Sequence, residues 1–177
     1  MDYGCGQLRN VGVLLEYSNK LLLVDTPQQL DTPHEFFGRR MLAKEFAAEH
    51  WPDAKLRFLL SVEFERSRVS AHAIFVVNVF DVVPTPTRIA MVKALLRNLR
   101  RDGLAIVIAP RNDSWTLRIC TPGRSYEHGF VFPHPRGYTY YRNWVSDSLH
   151  RWLESHGLRI VRDLSCYRQV CLILEQH

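Results

Sequence analysis

Short apolar runs that alternate with helix-like segments restrict the fold of this chain more than any other feature. Residues 20–25, 57–62, 72–79 and 104–109 are apolar enough to be buried strands. Helix-like segments lie between the first and second runs and between the third and fourth. Strands that alternate with helices predict a mostly parallel sheet covered by helices on both faces, and therefore an α/β fold.

Local signals set the predicted ends of several elements. The segment Thr32-Pro33-His34-Glu35 is typical of a helix start, with Thr32 as the capping residue, and this helix is expected to end near Glu49. Pro84 opens a second helix, and Gly103 is expected to end it in a left-handed conformation. Residues 158–164 and 169–174 are expected to pair as an antiparallel hairpin.

Composition favours one domain with a substantial core. The chain has 177 residues, of which 46% are hydrophobic, so residues 1–177 are expected to form a single domain. No apolar run reaches the length of a membrane span, and none follows a basic N-terminal region, so neither a membrane segment nor a signal peptide is expected. The four cysteines form no C-x-x-C pair and are interpreted as reduced thiols of a cytoplasmic protein.

Charge and histidine content indicate no dedicated metal or nucleic-acid site. His128 and His134 have no third ligand at a recognised spacing, so no metal is predicted. The net charge of +5 is spread along the chain, and its densest stretch, Arg97–Arg101, is interpreted as the solvated face of a helix. Nucleic acid is kept as an alternative partner, behind a small molecule.

A glycine-containing turn and a carboxylate carry the most specific chemistry. Gly4 and Gly6 of Asp2-Tyr3-Gly4-Cys5-Gly6 allow a ligand to approach the backbone closely, although any tight turn uses such glycines. Asp25 ends the next predicted strand, where a carboxylate can accept hydrogen bonds from both hydroxyls of a ribose, or can simply terminate the strand. The order of glycine turn, helix, strand and terminal acid points to a nucleotide site.

Here the sequence resembles the class I S-adenosylmethionine-dependent methyltransferases. Residues 2–6 resemble their D-x-G-C-G nucleotide loop, and residues 23–25 resemble their second strand with its terminal acid. Residues 75–84 resemble their fourth strand and the loop after it, and residues 99–107 the turn into their fifth strand. The resemblance covers nearly the whole chain except residues 110–142 and implies a Rossmann-like fold with a C-terminal antiparallel hairpin.

The resemblance also implies S-adenosylmethionine as cofactor and a set of residues that contact it. Asp25 would hold the ribose, while Glu63 and Phe64 would lie near the adenine. Asn78 would lie against the methionine end, although it could equally be a capping residue. The implied contacts are Asp2, Gly4, Cys5, Gly6, Asp25, Glu63, Phe64, Asn78 and Val79.

Two positions depart from the family pattern. The family's third glycine usually lies two places after Gly6, where this chain has Leu8. The family's first strand should precede Asp2, where only Met1 is found. Since a missing central strand leaves unpaired backbone groups, we expect either a truncated chain or a first strand supplied by another element or another subunit, such as the partner of a homodimer.

The acceptor would be recognised by the segment that the resemblance leaves uncovered. Residues 111–142 form an aromatic insert or lid, in which His128, His134 and Tyr138 are candidate catalytic residues. The alternative is an insert that packs its own small β core. The sequence therefore predicts a methyltransferase that acts on a small molecule, or else a methyltransferase-like binding or assembly module without activity.

Overall fold

The computed structural model describes residues 1–111, 123–134, 137–142, 144, 147–166 and 169–177. The chain divides into two compact units, Met1–Val69 and Ser70–His177. Within the described part, no helix combines the length and the apolar character needed to cross a membrane. In the same part, no cluster of three or more histidine, cysteine or acidic side chains is arranged to hold a metal ion.

The first unit is built on three parallel strands, in the order β1, β2, β5. Strand β2 pairs in parallel with β1 on one side and with β5 on the other. A short antiparallel hairpin of β3 and β4 lies between α2 and α3 in the chain. The elements are β1 (Asp2–Tyr3), α1 (Val11–Leu15), β2 (Lys20–Asp25), α2 (Pro27–Leu30), β3 (His34–Phe36), β4 (Arg39–Met41), α3 (Ala43–His50), β5 (Lys55–Leu60) and α4 (Ser61–Phe64).

The first strand is present, so the expectation that it is missing or supplied by another chain is corrected. Asp2 pairs with Leu23 and Tyr3 with Val24 in parallel register. Both side chains of this two-residue strand are buried. The strand has only two residues, too few for a periodic pattern, and both were assigned to the glycine-containing turn. A homodimer is therefore not needed to provide this strand.

The helix predicted from Thr32 is wrong over its first half. Residues 34–41 form the β3–β4 hairpin, whose turn contains Phe37 and Gly38 with φ of 48° and 78°, and α3 begins only at Ala43. Stacking of the Phe36 ring on the Phe46 ring, with centroids 4.1 Å apart, holds the hairpin against α3. The capping role belongs to Thr26, whose hydroxyl accepts a hydrogen bond from the Gln29 N–H at 3.3 Å at the start of α2.

The second unit combines a mixed sheet with a separate small sheet. Strand β6 pairs in parallel with β7, and the order continues through antiparallel β12 to β11. The predicted terminal hairpin is therefore confirmed. The elements are β6 (Ala71–Val77), α5 (Thr85–Asn98), β7 (Leu99–Pro110), β8 (Arg124–Tyr126), β9 (Gly129–His134), β10 (Gly137–Tyr141), α6 (Ser148–Glu154), β11 (Leu158–Asp163) and β12 (Gln169–Gln176).

Gly103 does not cap α5, as the sequence suggested. Helix α5 ends at Asn98, and Gly103 lies inside β7. A Cβ at this position would come within 3.0 Å of the carbonyl oxygens of Ala71 and His72 on the neighbouring strand. Glycine is therefore needed for close backbone approach, next to the register shift between Ala71 and Ala73.

The insert that precedes α6 forms its own three-stranded antiparallel sheet. Strand β9 pairs with β8 on one side and with β10 on the other. Glu127 and His128 make the two-residue turn between β8 and β9, with φ of 43° and 64°. Two consecutive positive φ angles are typical of the turn type that matches the twist of a hairpin.

Candidate functional site

The three parallel strands of the first unit end at one edge of the sheet. In register, Tyr3 lies beside Val24, and Asp25 lies beside Leu60. The residues that follow these strands therefore meet beyond their carboxyl ends, where ligands bind in open α/β sheets. The predicted site residues Gly4, Gly6 and Asp25 all belong to this edge.

The glycine turn folds back onto the end of β2. The backbone N–H groups of Gly4 and Cys5 both donate to the Val24 carbonyl oxygen, at 2.7 and 3.2 Å. Gly4 and Gly6 adopt φ of 81° and 45°, in the left-handed region that glycine enters at low cost. Burial raises the pKa of the Cys5 thiol, so its side chain stays neutral in the core while its backbone shapes the turn.

Asp25 is held against this turn by two backbone hydrogen bonds. The Gly6 N–H donates to Oδ2 at 2.6 Å, and the Thr26 N–H donates to Oδ1 at 2.7 Å. Burial raises the pKa of Asp25 above its ordinary value, and the bonds from Gly6 and Thr26 oppose this rise. Each carboxylate oxygen keeps a further lone pair, so the pair can accept hydrogen bonds from two neighbouring hydroxyls.

Asp2 places a second carboxylate at the same edge. Its side chain is fully buried, and the Asn10 amide donates to both oxygens, at 3.4 and 3.5 Å. Burial raises the pKa of Asp2 to about 6, although the Asn10 hydrogen bond and the nearby N-terminal ammonium lower it. The carboxylate can therefore change its charge near neutral pH.

Leu8, which stands where the family pattern has its third glycine, adopts a left-handed backbone conformation. Its φ is 59°, in the left-handed region. A non-glycine residue in this conformation costs about 1–2 kcal/mol. The side chain is buried, and burial of a leucine contributes an opposing term of similar size. The substitution therefore leaves the turn intact.

The segment after β5 starts two residues earlier than the sequence suggested. The strand ends at Leu60, so Ser61 and Val62 follow it directly. The Glu63 carboxylate accepts a hydrogen bond from the Leu60 N–H at 3.1 Å and thereby caps α4. The Phe64 ring is fully buried and packs edge-on against Tyr3, with centroids 5.3 Å apart.

In the second unit, β6 ends at Val77, so Asn78 and Val79 follow the strand that was predicted to include them. The Asn78 N–H donates to the Ile108 carbonyl oxygen at 2.8 Å, and its φ is 54°. Asparagine tolerates this left-handed conformation better than most residues. Asn78 therefore ends the strand and does not cap α5, whose N-cap is Pro84.

A buried polar cluster in the loop after β6 was missed by the sequence analysis. Asp81 is buried, which raises its pKa to about 6, with the Arg88 charge acting in the opposite direction. Arg88 of α5 is fully buried. Its Nη2 donates to the Val83 carbonyl oxygen at 2.6 Å and to the Tyr140 hydroxyl at 3.3 Å. Within the described residues, Asp81 Oδ1, Thr85 Oγ1, and Arg88 Nε and Nη1 have no hydrogen-bond partner.

Aromatic rings enclose the Arg88 guanidinium. Its central carbon lies 5.8, 5.0 and 5.7 Å from the ring centroids of Tyr140, Trp144 and Trp152. Such contacts stabilise a buried cation. The only signal in the sequence was the set of aromatic residues around position 140, because the periodicity of α5 places Arg88 on its polar side.

Hydrogen bonds join the three-stranded sheet to the start of α5 and to the loop before it. The Tyr140 hydroxyl donates to the Glu127 carbonyl oxygen at 3.1 Å, and the Glu127 carboxylate accepts from the Thr85 N–H at 3.0 Å. The Arg142 N–H donates to the Asp81 carbonyl oxygen at 2.6 Å. The insert is thus fixed beside the loop that carries Asn78.

The candidate catalytic residues of the insert do not form one cluster in the described structure. His128 is exposed at the turn between β8 and β9, and Tyr138 lies on β10 with 81% of its surface exposed. His134 belongs to β9, but its side chain lies outside what the structure describes. Their catalytic roles stay predictions.

Comparison with known proteins identifies the fold of this chain. No family model matches the chain. Over 168 aligned residues, the chain is 21% identical to the uncharacterised protein YmfD of Escherichia coli. The alignment covers 93% of this chain and 74% of YmfD.

Solved structures extend this likeness to nearly every residue. The PH0226 protein of Pyrococcus horikoshii superposes with a TM-score of 0.71 at 12% identity, covering 99% of this chain and 80% of that one. The 1,6-didemethyltoxoflavin-N1-methyltransferase of Burkholderia thailandensis, solved with S-adenosylhomocysteine, superposes with a TM-score of 0.68 at 13% identity. The superposition covers 99% of this chain and 69% of that one. An S-adenosylmethionine-dependent methyltransferase of Clostridium acetobutylicum superposes with a TM-score of 0.66 at 11% identity, covering 99% of this chain and 82% of that one. This chain therefore has the fold of the class I S-adenosylmethionine-dependent methyltransferases.

Proposed function

We propose that this chain is an S-adenosylmethionine-dependent methyltransferase that acts on a small molecule. The observation that carries the proposal is the hydrogen bond of 2.6 Å between the Gly6 N–H and the Asp25 carboxylate. It joins the glycine turn to a carboxylate that has free lone pairs, which is the arrangement that a ribose diol requires. Several structurally similar proteins are small-molecule methyltransferases, and their fold supports the same chemistry here.

The residues at this edge fit the cofactor. A Cβ added to Gly6 would meet only the Gly4 carbonyl oxygen, at 3.9 Å, so the space beside the turn is open. Gly4 and Gly6 would let the cofactor lie against the backbone, Asp25 would bind its ribose, and Asp2 would face its amino-acid end. When bound, S-adenosylmethionine supplies an activated methyl group, and the chain needs chiefly to position the acceptor in line with it.

The adenine contact is better assigned to the residues that directly follow β5. Val62 exposes 47% of its surface at this point, and Ser61 precedes it. Glu63 and Phe64, the residues that the sequence suggested, are engaged in a helix cap and in the core. For Asn78 and Val79, the implied contact with the methionine end stays a prediction. A base is required only if the acceptor must lose a proton.

Calorimetric titration with S-adenosylmethionine tests the proposal directly. We expect the full chain to bind the cofactor and the Asp25→Ala variant to bind it much more weakly. Asp31→Ala, which removes an exposed carboxylate nearby in the chain, is the matched control and should bind as the parent does. Absence of binding by the parent chain, with its melting transition intact, would favour the alternative of a methyltransferase-like module without activity.

A further inference from the structure

One face of the insert sheet forms an open groove lined by aromatic side chains. Residues that pair across antiparallel strands, or that lie two apart on one strand, share a face. Arg124 pairs with Val131 and Tyr138 with Pro133, so these residues lie together. The groove has a volume of about 740 Å³, within the range of small-molecule sites. We call it the tyrosine groove, and the described residues that line it are Arg124, Ser125, Tyr126, Val131, Pro133 and Tyr138.

Two tyrosines present rings to this groove. Tyr138 exposes 81% of its surface and Tyr126 exposes 50%. The Tyr126 ring packs edge-on against the buried Tyr140, with centroids 6.3 Å apart, and this contact fixes one wall. Exposed aromatic rings in a concave surface are typical of a binding site, and they suit a planar partner that can stack on them.

The described lining of the groove carries one positive charge, that of Arg124. Arg124 is the only charged residue in its described lining, and no acidic side chain of the described residues forms an ion pair with it. A guanidinium binds a carboxylate through two parallel hydrogen bonds. The charge therefore favours an anionic ligand over a neutral or cationic one.

One wall of the groove is supported from behind by Tyr140. The Tyr140 ring packs against Tyr126, and its hydroxyl group donates to the Glu127 carbonyl oxygen and accepts a hydrogen bond from Arg88. Gly129 makes room for this ring, because a Cβ there would lie 2.5 Å from the Tyr140 hydroxyl oxygen. The Tyr126 wall is thus supported before a ligand binds, which lowers the entropic cost of binding.

We propose that the tyrosine groove binds a planar aromatic molecule with a carboxylate group. The inference goes beyond the proposed function and does not depend on it, because the stacking surface and the Arg124 charge belong to the groove itself. The ring would stack on Tyr138 and Tyr126, and the carboxylate would pair with Arg124.

Three probes separate the two parts of this recognition. 4-Hydroxybenzoate is planar and anionic, phenol is planar and neutral, and cyclohexanecarboxylate is anionic but not planar. Each is titrated into the full chain at fixed ionic strength, with binding followed by saturation-transfer NMR. We expect 4-hydroxybenzoate to bind at least about five-fold more tightly than either of the others, since stacking and the charged hydrogen bonds each contribute about 1 kcal/mol or more.

Matched variants locate the binding. Tyr138→Ala and Arg124→Gln should each weaken 4-hydroxybenzoate binding about five-fold or more, by the same reasoning. Tyr17→Ala removes a tyrosine that is 83% exposed in the other unit, and Arg101→Gln removes an exposed arginine of β7; both should leave binding unchanged. Because all four side chains are exposed, we expect the four variants to fold as the parent does. Melting curves that match the parent's will confirm this.

The outcomes also separate this inference from the proposed function. If S-adenosylmethionine binds but 4-hydroxybenzoate does not, or binds equally well to Tyr138→Ala and Arg124→Gln, the groove inference is overturned and the proposed function stands. If 4-hydroxybenzoate binding depends on both residues while S-adenosylmethionine fails to bind, the groove chemistry stands and the proposed function fails.

Discussion

The Gly6 N–H donates a hydrogen bond of 2.6 Å to a carboxylate oxygen of Asp25, 19 residues further along the chain. This bond and the one from Thr26 point the carboxylate beyond the end of β2 and fix its orientation before any ligand arrives. A carboxylate held in this way can bind a diol without first losing its own rotational freedom.

Asp25→Ala should therefore weaken the binding of S-adenosylmethionine. Hydrogen bonds to a charged group are worth about 1.5–3 kcal/mol, which corresponds to a loss of about 10- to 100-fold in affinity. Titration calorimetry on the parent and the variant gives the ratio directly. An unchanged dissociation constant would contradict the assignment of Asp25 to the ribose.

Tyr140→Phe should destabilise the second unit. The change removes the hydroxyl that lies between Arg88 Nη2 and the Glu127 carbonyl oxygen, and Arg88 is fully buried. A buried donor that loses its partner costs about 1–3 kcal/mol, measurable by urea denaturation. Tyr138→Phe, on the same strand but largely exposed, should change the free energy of unfolding by less than about 0.5 kcal/mol. Equal effects of the two changes would show that the Tyr140 hydroxyl carries no structural role.

Gly129→Ala should be more costly than Gly38→Ala. At Gly129 the added methyl group would lie 2.5 Å from the Tyr140 hydroxyl oxygen and 2.6 Å from the Tyr141 carbonyl oxygen. The Tyr140 ring or strand β10 would therefore have to move. At Gly38 no atom of the described residues lies within 4 Å of the added methyl group, so the cost comes from the φ of 78°. We expect a loss of about 2–3 kcal/mol for Gly129→Ala and about 1 kcal/mol for Gly38→Ala, compared by thermal or urea unfolding. A larger loss at Gly38 would contradict the packing described for Tyr140.

Asp81→Asn should change how stability depends on pH. Burial raises the Asp81 pKa from 3.8 to about 6, so the folded chain holds this proton more tightly than the unfolded chain. The resulting stabilisation is complete below the unfolded pKa and is lost as the pH rises through about 6. Because one pKa unit corresponds to about 1.4 kcal/mol, the loss attributable to Asp81 between acidic and neutral pH is about 3 kcal/mol.

Urea denaturation of the parent and Asp81→Asn at pH 4 and pH 7.5 measures this difference. The gap in unfolding free energy should move in favour of the variant as the pH rises, because the variant has no carboxylate to ionise in the core. Asp2 also has a pKa raised to about 6 but is present in both proteins, so its contribution cancels. A gap that does not change with pH would contradict the raised pKa of Asp81.

The glycine turn and Asp25 could be assigned from the sequence because their chemistry is local. Gly4 and Gly6 are needed for positive φ angles, and Asp25 follows an apolar strand whose parallel neighbours end at the same edge. The terminal hairpin could also be predicted from the sequence, since its two strands lie close together along the chain. In contrast, residues 34–41 have a pattern that fits a short helix, and only the stacking of Phe36 on Phe46 in three dimensions selects the hairpin.

What the sequence determined by itself was the alternation of the apolar strands with helices, and the glycine turn and Asp25 at one sheet edge, because periodicity and glycine conformation act over a few positions. What only the tertiary structure decided was which polar residues are buried. Arg88 lies on the polar side of its helix and becomes part of the core only because Tyr140, Trp144 and Trp152 pack around it. These rings lie 52, 56 and 64 positions away, and contacts at such separations depend on the whole arrangement of the unit and leave no periodic trace in the chain.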